Sequence, residues 1–247
     1  MYNVLISVAA AIAMLLIMVF ALKLAWWGSL IVGLIVFAII FVLISKAIMK
    51  KVMIAMESAG KDLQAQPPRF EKAIRELKDA LQYSRWQLYV EGQVNSQIGM
   101  IYYMKRDFSN AFPYLEKAFF KNWAAMGMLA ISYMKRQKNE MMIKTFDKAI
   151  QWNGKEPMLW ALYAYCLNEN GDLSAAKIAL DKGLKKIPGD EKLKDLKESL
   201  EKGKKMNMRA YGDMWFQFHL ESLGALQRHQ MASMGGRMQQ RRGGVRR

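Results

Sequence analysis

Between Val4 and Leu22 the chain carries no charged side chain, and between Leu24 and Ser45 it again carries none; only Lys23 separates the two runs. A helix needs about 20 apolar residues, rising 1.5 Å each, to cross the hydrocarbon core of a bilayer. Each run meets that length, so residues 1–45 are expected to form a hairpin of two transmembrane helices. A cleaved signal peptide would need a basic start and a shorter apolar core, whereas the first 22 residues contain no Lys or Arg. The short link around Lys23 forces the two helices to lie antiparallel, with Trp26 and Trp27 at an interfacial aromatic belt. Ala9 and Ala13 have the small-xxx-small spacing that lets a second helix approach near Gly33.

Orientation follows from the cations at the helix ends. Lys46, Lys50 and Lys51 follow the second run, against Lys23 alone in the connection. The positive-inside bias therefore predicts an integral membrane protein whose soluble part faces the cytoplasm, as at a bacterial inner membrane, with the N-terminus on the same side. Residues 46–68 read as an extension of the second helix followed by a linker. Its cations stand at lipid headgroups, Gly60 loosens it and Pro67-Pro68 stops it.

The hydrophobic fraction of 53% is inflated by the first 45 residues. In the remainder Ala, Leu, Met, Lys and Glu dominate, which favours helix throughout; the fold class expected is all-α. The net charge of +16 is spread along the chain except at its end. There Arg228, Arg237, Arg241, Arg242, Arg246 and Arg247 follow the last acid, Glu221. Cys166 is the single cysteine, so no intrachain disulfide or cysteine-rich metal site can form. No cation lies beside it in sequence to activate its thiol.

From Phe70 onward short amphipathic stretches recur at nearly fixed spacing. Ile98-Gly99 and Tyr102 are followed by Ala111, Leu115 and Ala118; Leu129-Ala130 and Tyr133 by Met142, Phe146 and Ala149. Trp160, Tyr163-Ala164 and Leu167 are followed by Gly171-Asp172, then Ala176, Leu180, Gly183 and Pro188. Ala118 and Ala149 are 31 residues apart, and Ala149 and Gly183 are 34 apart. Phe70, Ala73, Leu77 and Ala80 read as the second helix of an earlier unit. The small residues mark points where paired helices approach closely. One such pair cannot cover its own apolar face, so neighbours must stack. An irregular helical bundle is the alternative.

These positions resemble the tetratricopeptide repeat over roughly residues 70–190; the third stretch matches best, and the second lacks the Gly and the closing Pro. The resemblance implies a short α-solenoid over 69–205. Asp190–Lys202, with its stripe of Leu193, Leu196 and Leu200 ended by Gly203, would be its capping helix. It also implies that the first helix of each pair lines a concave face that binds a partner protein. Carried over position by position, that lining is Gln93, Ser96, Met100 and Tyr103; Gly127, Ile131 and Met134; and Met158, Ala161, Tyr165 and Asn168. Ser96, Gly127 and Ala161 stand where a carboxylate-clamping relative would need lysine, so a Met-rich face suited to an amphipathic helix is expected instead.

Residues 206–230 carry Tyr211, Trp215, Phe216, Phe218, Leu220, Leu223 and Leu226 and read as one aromatic amphipathic helix. It could extend the domain's own core, dock into the groove of this or another copy, or lie on the membrane. Residues 231–247 read as a disordered basic tail. Lys46, Lys50, Lys51, Arg241, Arg242, Arg246 and Arg247 are the candidate contacts to anionic lipid; nucleic acid is a weaker partner because no stacking module accompanies the cations. His219 and His229 have no acidic or cysteine partner at ligand spacing. No phosphate loop, nucleophile elbow or zinc motif occurs, so neither catalysis nor a cofactor is expected. Three functions remain: a membrane-tethered scaffold that binds a partner protein, an integral subunit of a larger transport, secretion or energy-converting complex with the repeat as an arm, and a lipid or RNA tether.

Overall fold

The computed structural model describes residues 1–21, 23, 25–222, 224, 227, 228 and 231. Every regular element among them is helical. α1 (Tyr2–Leu16) widens into a π turn over Ile17–Ala21, and α2 (Trp26–Gln64) runs back beside it as one 39-residue helix. Tyr2–Ala21, α1 with its π turn, and α2 are each long and apolar enough to cross a membrane, and many of their large side chains are exposed.

Polar groups set the pairing of these two helices. Asn3 and Ser7 are buried on the face of α1 turned to α2. The Asn3 amide donates to Ser45 Oγ at 2.8 Å and to the Phe41 carbonyl at 3.4 Å, and Ser7 Oγ donates to the Asn3 carbonyl at 2.9 Å. In apolar surroundings an unpaired amide is costly, so the two Asn3 bonds to α2 favour one register. The 3.6-residue period then turns Ala10, Ala11 and Met14 inward and leaves Ala9 and Ala13 exposed. The close approach expected at Ala9 and Ala13 is made by Ala11 instead: a methyl at Gly33 would stand 3.5 Å from its carbonyl oxygen.

Beyond Lys46 the same α2 changes role. Ile48, Val52 and Ala59 are buried in one cluster with Ala73, Ile74 and Leu77 of α3 (Phe70–Ala80) and Val90, Val94 and Ile98 of α4 (Val90–Met104). Buried Asp62 holds the α2–α3 turn: its carboxylate pairs with Lys72 at 3.1 Å and Arg69 at 3.7 Å, and its carbonyl accepts the Arg69 amide at 2.9 Å.

The rest is a run of short helices: α5 (Phe108–Glu116), α6 (Trp123–Lys135), α7 (Asn139–Asn153), α8 (Pro157–Glu169), α9 (Leu173–Lys186) and α10 (Glu191–Glu201). The chain forms two compact units, Met1–Leu129 and Ala130–Arg247, with the division inside α6. In the first, α4 packs on α5 where Gly99 meets Leu115; a methyl on Gly99 would stand 2.8 Å from Leu115 Cδ2. In the second, α8 packs on α9 where Gly183 meets Trp160, α7 stacks Phe146 on Tyr163, and α10 buries Leu193, Leu196 and Leu200.

Among the described residues one turn closes four helices: at Gly203 it ends α10, where the Lys204 amide reaches the Ser199 carbonyl at 2.8 Å, and at three other places it leads into the next helix. In those three a residue at positive φ (Arg106, Gln137, then Gly171) is followed by one whose amide reaches five residues back, at 2.9, 3.0 and 3.0 Å. The bonds run from Asp107 to Tyr102, from Lys138 to Tyr133, and from Asp172 to Leu167. There the six-to-one closure ends one helix and starts the next. These three turns lie 31 and 34 residues apart.

Over residues 206–222 the expected aromatic helix does not form. Only a 3-10 turn, Met208–Tyr211, and a single turn α11 (Asp213–Phe216) are helical before Leu220, because Gly212 and His219 take positive φ. Trp215, Phe216 and Phe218 are buried by folding the segment over rather than by presenting one helical face.

Candidate partner-binding face

The predicted lining positions fall into two groups by exposure. Ser96, Tyr103, Gly127, Ile131, Met134, Met158 and Ala161 are buried; Gln93, Met100, Tyr165 and Asn168 keep partial exposure. Sequence spacing assigns a side chain to a helix face but does not reveal what the next segment lays over it. On α4, Ser96 Oγ donates to the Gly92 carbonyl at 2.8 Å and accepts the Phe119 amide at 2.9 Å. Met100 Sδ accepts from the Asn122 amide at 3.7 Å, and the Tyr103 ring stands edge-on to Phe108 at 5.0 Å. The 119–122 connection thus caps much of this face. On α6, Gly127 belongs to the first unit, and Ile131 and Met134 to the second.

On α8 the two exposed positions come together. Tyr165 and Asn168 line a cleft of about 660 Å³ with Glu169, and its other wall is made by residues 205–209 and 220–222. Tyr165 meets the Trp215 ring edge-on at 4.8 Å. Burial, followed by the nearby Glu169 carboxylate, raises the Tyr165 hydroxyl to about 12, so it stays a neutral donor. Across the cleft, Arg209 grips Glu221 through Nε at 3.2 Å and Nη2 at 3.0 Å, and Trp215 Nε1 donates to the same carboxylate at 3.1 Å. The Arg209 bond holds Glu221 below the usual carboxylate range, against a smaller opposing effect of burial and with help from Trp215.

Residues 206–221 therefore form a strap seated on α8 and reaching α10, where Lys192 Nζ lies 4.9 Å from the Tyr211 ring. Of the three placements open for this segment in the sequence, the structure favours packing on its own domain. The strap was not legible as such. Its only local marks are Gly212 at a forced positive φ and Glu221, the last acid before the arginine-rich end.

Lys46, Lys50 and Lys51 are exposed on α2 just past Ser45, with Lys51 Nζ 5.6 Å from the Tyr83 ring. Arg241, Arg242, Arg246 and Arg247 lie outside the described residues, as do Leu223, Leu226 and His229. Cys166 is buried, which pushes its thiol up and away from reactivity. Among the described residues no three His, Cys, Asp or Glu side chains gather as metal ligands would. The cleft on α8 offers an amide, a neutral phenol and a paired carboxylate, a set suited to hydrogen-bonded recognition. Comparison with protein-family models, curated proteins and solved structures finds no match to this chain.

Proposed function

We propose that the chain is a membrane-tethered scaffold of the tetratricopeptide kind that binds a partner protein at the cytoplasmic face of a bilayer. The observation that carries this reading is α2. One uninterrupted helix is apolar along its first 20 residues, exposed on the face turned away from α1, and then enters the core of a helical domain through Ile48, Val52 and Ala59. Such a helix has little other means of satisfying its first half than lipid or another membrane helix. The repeat reading is supported by the three six-to-one turns that lead into a next helix and by the glycine contacts of α4–α5 and α8–α9. On this reading α10 caps the array, and the cytoplasmic assignment follows the excess of Lys46, Lys50 and Lys51 over Lys23.

The accessible positions Gln93 and Met100 on α4 are the first candidates for partner contact, because the strap already occupies the corresponding face of α8. Alkaline carbonate should leave the chain in vesicles, and Met100→Lys should remove bound partner while leaving it there. An unchanged partner set, or release by carbonate, would count against the reading.

A second reading, an integral subunit of a larger membrane complex, is favoured by the surface of the hairpin itself. A wholly apolar groove of about 320 Å³ opens between α1 and α2, lined by Val8, Ala11, Ile12, Leu30, Gly33 and Phe37 among others. If that groove seats another membrane helix, exchanging the hairpin for an unrelated one abolishes assembly; under the scaffold reading, partner recruitment survives the exchange.

A further inference from the structure

The first turn of α1 is bound to a loop far along the chain. The Asn3 amide donates to the Trp86 carbonyl at 3.2 Å, and the Tyr2 ring meets Trp86 edge-on at 5.4 Å. Trp86 opens a four-residue connection, 86–89, from the 3-10 turn Leu81–Arg85 to α4. Within it Leu88 and Tyr89 are 53% and 54% exposed, beside Tyr2 at 44%. Tyr89 takes φ +67 as the residue preceding α4, a conformation that bulky side chains rarely adopt, and its ring lies 5.3 Å from Phe119 and 5.9 Å from Phe120.

The level of this loop along the hairpin is fixed by Asn3, which bonds Trp86 with its backbone and Ser45 with its side chain. Ser45 is the last residue before Lys46, the first cation after the second apolar run. At the opposite end of the hairpin Trp26 and Trp27 stack at 3.6 Å and are 57% and 66% exposed. Trp26 to Ser45 spans about 30 Å of helix, the thickness of a hydrocarbon core. Aromatic collars thus flank an exposed apolar band at both ends, and Lys46, Lys50, Lys51 and Arg85 are exposed on the Trp86 side. Aromatic rings with a cationic fringe are what the boundary between acyl chains and headgroups favours.

We infer that loop 86–89 is a second membrane contact: Trp86, Leu88 and Tyr89 seat in the headgroup boundary of the bilayer that the hairpin crosses, and the adjacent cations meet anionic phospholipid. This rests on the reading of the hairpin as membrane-spanning. Its consequence is that the first unit is held against the lipid at a fixed height instead of pivoting on α2.

The test is depth-dependent quenching of a polarity-sensitive fluorophore. Leu88→Cys, Leu34→Cys and Ser109→Cys, each in a Cys166→Ser background, are labelled in the full chain and reconstituted into phosphatidylcholine–phosphatidylglycerol vesicles. The label at 88 should emit to the blue of that at 109 and be quenched most by nitroxides near the headgroup. The label at 34 should be quenched most by nitroxides deep in the chains, and that at 109 by neither. If 34 is quenched but 88 behaves like 109, the loop contact is wrong while the anchor stands. If none is quenched, the spanning hairpin itself is wrong.

Discussion

Glycine has opposite value at different positions of this chain. A methyl built on Gly183 would lie 2.9 Å from Trp160 Cγ, and that ring is held in place because its Nε1 donates to the Gly154 carbonyl at 2.9 Å. At Gly60 in α2 the same methyl meets nothing within 4 Å. Helix propensity alone favours alanine by about 0.8–1 kcal/mol, whereas forcing a methylene into a packed contact costs about 1–3 kcal/mol. Gly60→Ala should therefore raise the thermal midpoint and Gly183→Ala should lower it, read by circular dichroism of the detergent-solubilised chain; a rise in both would mean the Trp160 contact is loose. The spacing of the sequence marked Gly183 and Gly99 as close approaches, because a small residue recurring at one register position leaves room for a facing helix. It could not mark Ser96 or Met158 as buried. Exposure depends on the residues that fold over a position, and for Ser96 these include Phe119, 23 residues further along the chain.

Among the elements, the repeated turn was only partly legible. Gly171 announces a positive φ, but Arg106 and Gln137 take the same conformation without any glycine. The tail misled for a related reason. Its aromatic spacing fits a helical face, yet Gly212 and His219 break the helix, and an ion pair between Arg209 and Glu221 closes the segment into a strap. That closure has a pH dependence with a definite sign. Because Arg209 and Trp215 hold Glu221 below the ordinary glutamate value of 4.5, the pairing stabilises the strap above that value and is lost as pH falls through the lowered one. The Trp215 signal, taken as the difference from Trp215→Phe, should shift on acidification below 4.5. Glu221→Gln should flatten that response. A Trp215 signal that titrates identically in Glu221→Gln would assign the transition to another group.

For the molecule as a whole, the two apolar helices were plain in the sequence because charge is absent over long runs, while their mutual register was not. It is set by Asn3 and Ser45, polar residues that hydropathy counts only as small interruptions. That register has a consequence for topology. Asn3 is bonded to both Ser45 and Trp86, so the start of α1, the exit of α2 and the α3–α4 connection lie at one end of the hairpin, and Ala25 lies at the other. If the hairpin crosses a bilayer, the chain's first residues and α5 must share a compartment from which Ala25 is excluded. In the orientation proposed from the excess of cations after Ser45, that compartment is the cytoplasm. A membrane-impermeant maleimide applied to sealed right-side-out vesicles should therefore label Ala25→Cys and spare Ser109→Cys, with Cys166→Ser in both. Inverted vesicles should exchange the two results. Labelling of both sites from one side would place the whole hairpin on a single face of the membrane. The exchange with the opposite polarity would keep the two spans and reverse only the orientation drawn from Lys46, Lys50 and Lys51.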